Sequence, residues 1–494
     1  MRSIKREVSV MAIHPYIVSQ IRTPTARSFY RSQFHEHIWM QKAHGKMLVK
    51  QGLLPSENYK KIKEALEQVE QTLTEEQIDG NLIDLYYNIM KNVYALVGED
   101  IGCRIHIGRS RNDMNCTCNR MALRREILVL MEKVQQVMVL LLKQAQKNRD
   151  VTITYYTYGQ PAQPGTYGHY LLMLFAMLSR DFKRLQAAYA TTNVSPMGAA
   201  TGIGTQYPLD PAYTAQLLGF DCVIAHATDA ISSTDYILEA ASAVTNLMTT
   251  VSRFAHDLIF WSSYECPLLN CENSIATSSS IMPQKKNPVC FELLRSRSAR
   301  ASGILYEGVA MTRSTSLFVS NDAVVEFFGK MSGYMEETDR TLDLMEIILL
   351  NTTVNRDYAK SAIKHNFSSA SCAAEYLAIQ AHVPFTRTHD IVGNMVKKLM
   401  ETENLDIQHV CGPLLAAASE EVLGIPLSLS DEHVIAMMDP VLSLERLMSG
   451  GTPKSSDMEE LIAAGRNTLK QQERACAELR DRLSAAQALT DAEN

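Results

Sequence analysis

Three polar segments carry the residue types that chemistry needs. From Ala276 to Glu292 the chain reads ATSSSIMPQKKNPVCFE, which makes a poor helix, a poor strand and a poor linker. The small residues from Thr277 to Ser280 let backbone approach a ligand closely, and Pro283 and Pro288 restrict the path. Lys285 and Asn287 offer a cation and an amide to one anionic group, which describes a mobile lid over an anion. A serine in such a loop, with no histidine at triad spacing, acts as a base if backbone donors and a lysine hold its alkoxide. The bland alternative, a floppy basic surface loop, leaves this density of special residues unexplained.

The second segment is HIGRSRNDMN, from His106 to Asn115, and the third is YTYGQPAQP, from Tyr156 to Pro164. All three precede or join long helical patterns. A helix start is an anion site because its first N–H groups lack partners and the macrodipole favours negative charge. GRSRND adds two guanidinium groups and an asparagine, matched to planar carboxylates. Taken alone, it is equally a solvated basic turn capped by Asn112 or Asp113.

The elements that must position these segments are helices. Apolar residues recur at helical spacing from Asp235 to Trp261, with no glycine or proline in the run. Similar runs cover about Arg120 to Lys147, Thr166 to Ala190 and Val324 to Leu350, and several helices of this length imply a bundle. Strand signals are weak: TITYY, at 152 to 156, sits between two helices. The Arg120 to Lys147 helix is apolar on nearly all sides after position 137. That pattern predicts burial inside something larger, hence an oligomer, the alternative being a central place within one chain.

Composition sets outer limits. With 494 residues, 46% hydrophobic and 21% charged, the chain buries a large core; a formal net charge of −6 gives no general attraction to nucleic acid or to an anionic membrane. No run approaches a membrane-spanning length, and the N-terminal MRSIKREVSVMAIHPY lacks the apolar core of a secretory signal. A cytoplasmic enzyme is expected. The ten cysteines form no zinc-finger spacing and the thirteen histidines no H-E-x-x-H pattern, so no metal is expected. The lid-like setting of Lys285 and Lys286 argues against a Schiff-base lysine, so no cofactor is expected.

These motifs carry a resemblance. SSIMPQKKNP (Ser279 to Pro288) resembles the fumarase/aspartase superfamily signature G-S-S-x-M-P-x-K-x-N-P. HIGRSRND resembles the H-T-G-R-S-R-N-D of argininosuccinate lyases, and YTYGQPAQP their Y-T-H-x-Q-x-A-Q-P. SPMGAATGIGTQYPLD (Ser195 to Asp210), LGF (218 to 220) and DAISSTD (229 to 235) extend the likeness over about residues 35 to 350.

The resemblance implies an all-α chain: an N-terminal helical domain (1–110), a central long-helix bundle (111–360) and a C-terminal helical domain (361–494). It implies a homotetramer with a 20-helix core and active sites drawn from three chains. It also implies cleavage of a succinyl C–N or C–O bond with release of fumarate. Ser279 would be the base, with Lys285 and Asn287 holding the dianionic aci-carboxylate. Ser110, Arg111, Asn112 and Thr157 would bind the succinyl carboxylates, with Ser280 and Met282 beside them on the lid.

Departures bear on the leaving group. Tyr158 stands where the family has histidine, while the glutamate that pairs with that histidine is present as Glu292. A phenol titrates near about 10 against about 6.5 for imidazole, so Tyr158 is expected to orient substrate or water while touching Glu292. Family E-D-I-H reads IDLY (Ile83 to Tyr86), the Asp-Ile-x-x-Ser pattern reads HIWMQ (His37 to Gln41), and the segment that holds the arginine tail reads VSNDAVVEF (Val319 to Phe327). The signature glycine is Ser278. The expected activity is anti β-elimination from an N-substituted aspartate, giving fumarate and an amine other than arginine, similar to ethylenediamine-N,N'-disuccinate lyase. Argininosuccinate lyase proper, or a silent structural homologue of the lens-crystallin kind, are the alternatives.

Overall fold

The computed structural model describes residues 13–318, 321–403 and 405–493. Most of the N-terminal segment read above for a signal, together with Val319 and Ser320 of VSNDAVVEF, therefore lies outside the described residues.

Five long helices make the bundle: α4 (Arg111–Lys147), α5 (Tyr167–Thr192), α6 (Asp235–Trp261), α7 (Val289–Thr312) and α8 (Asn321–Leu350). Before them come α1 (Thr23–Lys50), α2 (Ser56–Thr72) and α3 (Leu85–Val97). The bundle runs up and down. Arg120 on α4 reaches Thr191 O at the end of α5 (3.0 Å) and Ser233 just before α6 (2.9 Å). At the opposite end Tyr170 of α5 packs on Trp261 of α6 with ring centroids 4.5 Å apart, and Gln144 of α4 donates to Leu349 O of α8. Helices α7 and α8 pack closely because residue 308 is glycine: a Cβ there would lie 2.4 Å from the Phe327 ring.

Much of the apolar girth of α4 is met inside one chain. Helices α1, α5 and α8 pack on it, joined by the final helix α13 (Ser455–Asp491), and Val137, Met138 and Leu141 are fully buried. A central place within the chain accounts for these residues, while Val129 and Val139 of the same helix stay exposed and leave apolar surface of the kind an oligomer would cover.

Between α8 and α13, helices α9 (Ala370–Ala381), α10 (Phe385–Glu401), α11 (Gly412–Leu423) and α12 (Asp431–Met438) surround a separate core that includes Leu377, Ile391, Leu415 and Met437. Helix α13 leaves that core and runs back along the bundle. Gly465 sits against Leu142 and Phe175, and at its far end Thr490 donates to Leu217 O (2.6 Å) and Asp491 pairs with Lys42 (2.6 Å).

Among the described residues, strand structure is confined to two-stranded pieces. The TITYY run is a real strand: β1 (Thr152–Thr157) pairs antiparallel with β2 (Gln160–Thr166) through a two-residue turn. Both turn residues have positive φ, 54° at Tyr158 and 73° at Gly159, the combination whose twist suits a tight hairpin. The strand signal looked weak because half of the ladder is Gln-Pro-Ala-Gln-Pro, which propensity alone scores against a strand.

Candidate active site

Ser110 begins the site from α4. It is the N-cap, accepting from Asn112 N at 3.3 Å, and Asp113 completes a capping box by accepting from Ser110 N at 2.9 Å. The same carboxylate accepts from Gly198 N (3.2 Å) and Ala200 N (3.0 Å), so it ties the helix start to the SPMGAATGIG loop. Burial pushes the Asp113 carboxyl up to about 6, with these backbone donors opposing the shift. Arg111 donates to Asp84 (3.1 Å), with its guanidinium over the Tyr87 ring. Arg109, absent from the expected site residues, is buried under the motif; it bonds Gln41 Oε1 at 2.5 Å and lies over Tyr86.

Three of the departures from the family pattern meet beside Arg111. A cavity of about 230 Å³ is walled by His37 from HIWMQ, by Ile83, Asp84 and Leu85 from IDLY, and by Val325 and Glu326 from the start of α8, with Arg22, Phe29, Asn115 and Asn119. Their distance in sequence hid this common location.

The other two motifs lie at the opposite end of the bundle. Thr157 and Tyr158 are at the hairpin tip beyond the C-terminus of α4, and the tip is exposed. Tyr158 makes no hydrogen bond or ion pair within the described chain, so the expected contact with Glu292 is absent from a single chain. Glu292 is exposed in the first turn of α7, where a carboxylate suits the helix dipole.

The serine-rich segment is a miniature hairpin. Strands β3 (Thr277–Ser278) and β4 (Lys286–Asn287) pair antiparallel, with Ser278 opposite Lys286. Ser278 therefore sits in extended backbone with no positive φ, and the family glycine is not required there. Ser279 N donates to Lys285 O (3.2 Å) and closes the loop. The Ser279 hydroxyl oxygen accepts from Ile281 N (3.3 Å) and Met282 N (3.0 Å). Two backbone dipoles thus face the one oxygen that would carry charge as an alkoxide. Lys286 is held by Cys271 O, whereas the Lys285 ammonium is exposed and has no partner among the described residues; Ser280 and Met282 are exposed and Asn287 half-buried.

The distance between motifs is set by α4. Its 37 residues at about 1.5 Å rise span about 55 Å, so Arg111 and Tyr158 of one chain cannot meet at one small molecule. Among the described residues no cluster of three or more His, Cys, Asp or Glu is arranged to hold a metal ion, and no helix is long and apolar enough to cross a membrane.

The geometry can be set beside known proteins. A family model described as "Lyase" matches residues 20–303. The argininosuccinate lyase of Methanosarcina acetivorans is 31% identical over 92% of this chain and 91% of its own length. EDDS lyase in complex with formate superposes with a TM-score of 0.83 at 24% identity, covering 96% of this chain and 95% of that one. The 3-carboxy-cis,cis-muconate lactonizing enzyme of Pseudomonas putida gives 0.72 at 18% identity, over 93% of this chain and 100% of that one. At such identities the two structures speak for the fold.

Proposed function

This chain belongs to the lyase family, in the argininosuccinate-lyase-like branch of the fumarase/aspartase superfamily, and from that membership we propose that it cleaves an N-substituted aspartate into fumarate and an amine other than arginine. The observation that carries the reading is the setting of Ser279, with two backbone N–H groups on its oxygen and the exposed Lys285 on the same loop.

Ser279 Oγ, as the alkoxide, takes the proton from the carbon next to one carboxylate. The electron pair left behind delocalises into that carboxylate, and Lys285 and Asn287 hold the resulting dianion. Collapse of the dianion forms the C=C bond and breaks the C–N bond, and the nitrogen leaves with the bonding pair. An alkyl amine that is already protonated leaves as a neutral amine and needs no further acid. Ser110, Arg111, Asn112 and Thr157 hold the carboxylates, with Ser280 and Met282 closing over them. Such a site gains most of its rate by stabilising charge that exists only along the reaction path.

The roles require more than one chain, since α4, 37 residues and about 55 Å long, separates Arg111 at one end of the bundle from the hairpin and the serine loop at the other. A homotetramer supplies the missing parts, with Tyr158 and Glu292 meeting across an interface. Helix α7 offers surface for it: Tyr306 and Val309 are exposed toward its C-terminal end. We place the enzyme in the cytosol, acting on small molecules without metal or cofactor.

The apolar part of the cavity beside Arg111 supports an amine other than arginine. Val325, Leu85 and Ile83 line it, and a guanidinium set against such walls leaves donors unpaired. The deciding experiment incubates the protein with fumarate and a panel of amines and seeks N-substituted aspartates by mass spectrometry. Absence of any adduct, with no fumarate released from aspartate derivatives, refutes the reading and favours a silent homologue.

A further inference from the structure

The hairpin that carries Thr157 is anchored through a tyrosine on the same strand. Successive strand residues alternate faces, so Tyr155 and Thr157 share one face of β1 while Thr154 lies on the other. Thr154 is held by Asn366, whose Nδ2 donates to its hydroxyl at 2.7 Å. On the face of Thr157 the anchor is Tyr155. Its ring lies across Gly165 of β2, where a Cβ would come within 2.3 Å of it. Its hydroxyl meets His169 Nδ1 at 2.9 Å and Thr166 O at 3.2 Å.

His169 is itself fixed on two sides. It sits in the first turn of α5, where its backbone N–H donates to the hydroxyl of the N-cap Thr166 at 3.1 Å. Its Nε2 lies 3.0 Å from Gly451 O, in the segment before α13 and 282 positions further on. A carbonyl only accepts, so in the neutral imidazole Nε2 carries the ring proton and Nδ1 is left to accept from the phenol. Burial pushes the Tyr155 phenol above its usual range, which keeps the hydroxyl a donor. A directed chain results, from Tyr155 O–H to His169 Nδ1 and from His169 Nε2–H to Gly451 O.

We propose that Tyr155 and His169 are positioning residues, which act together to set the hairpin tip so that Thr157 meets a substrate carboxylate. This rests on the reading that Thr157 holds a carboxylate of the succinyl part. The tip is otherwise exposed, and a binding group on an exposed turn needs such bracing, since a misplacement of about 1 Å costs up to about a hundredfold.

The test is fumarate binding by calorimetric titration of the full chain. Tyr155→Phe removes the hydroxyl but keeps the ring on Gly165, and should weaken fumarate by about tenfold, as should His169→Leu. His169→Asn, whose side-chain oxygen can stand in for Nδ1, should bring binding back to within about threefold of the wild type, a recovery that repacking alone would not give. With Thr157→Ala already present, Tyr155→Phe should weaken fumarate no further, because the pair acts through Thr157. Unchanged binding in Tyr155→Phe, no recovery in His169→Asn, or an equal loss when Thr157 is already removed overturns this inference and leaves the lyase reading standing. Should the wild type bind no fumarate, the lyase reading fails, and amide hydrogen exchange over residues 158–160 decides. Exchange faster by about tenfold in Tyr155→Phe and His169→Leu, and restored by His169→Asn, supports the pair as the anchor of the tip. Unchanged exchange overturns it.

Discussion

The carboxylate of Asp113 accepts the backbone N–H of Ala200 at 3.0 Å, across 87 positions of sequence. This bond, with its neighbour at Gly198, fixes the loop after α5 onto the start of α4. Asp113 is fully buried and its pKa is pushed from 3.8 up to about 6.

A raised carboxyl means that the folded chain binds this proton more tightly than the unfolded one does. The stability contributed by the proton is complete below pH 3.8 and is lost as pH rises through about 6. Asp113→Asn is expected to flatten that part of the stability–pH profile, and to lose about 1–3 kcal/mol because its amide faces the Ser110 N–H. Chemical denaturation at several pH values measures both.

Ser279→Ala should abolish turnover and leave the melting temperature unchanged, because the side chain is on a surface loop and outside the core. A positioned proton-transfer group contributes a hundredfold or more. Retention of more than about a tenth of the wild-type rate removes Ser279 from the role of base.

Mixing two inactive variants tests shared sites. Ser279→Ala and Arg111→Ala, dissociated and reassembled together, should regain activity, since some sites in mixed oligomers receive both intact residues. No recovery in verified mixed assemblies would show that each site is built by one chain.

Tyr158→Phe should slow turnover by roughly tenfold or less, the loss of one neutral hydrogen bond worth about 0.5–1.5 kcal/mol. A hundredfold loss, with the alkaline limb of the pH profile displaced, would make the phenol the proton donor instead. Tyr158→His is expected not to confer argininosuccinate cleavage, since the cavity residues beside Arg111 would be unchanged.

Argininosuccinate itself should be cleaved very poorly by the wild type. Efficient release of arginine, measured by amino-acid analysis, would contradict the reading of the Ile83 to Tyr86 and Val325 to Phe327 segments.

Much of this was legible in order along the chain. Ser110 and Asp113 cap α4 through bonds spanning three residues, and an uninterrupted apolar period requires helices from Asp235 to Trp261. Such features are decided within one or two turns, where sequence neighbours are spatial neighbours. The serine loop was likewise readable as a ligand-facing segment, since its small residues and prolines act locally.

What tertiary structure decided is distance. Only the up-and-down course of the bundle puts Arg111 at one end and both Tyr158 and Ser279 at the other. Only the packing of α1, α3 and α8 around the start of α4 gathers His37, Asp84 and Val325 into one cavity. The sequence showed these as three unrelated departures, because each is ordinary within its own helix or turn. The wall they form together, with the Arg111–Asp84 pair at its edge, exists only after the chain has folded.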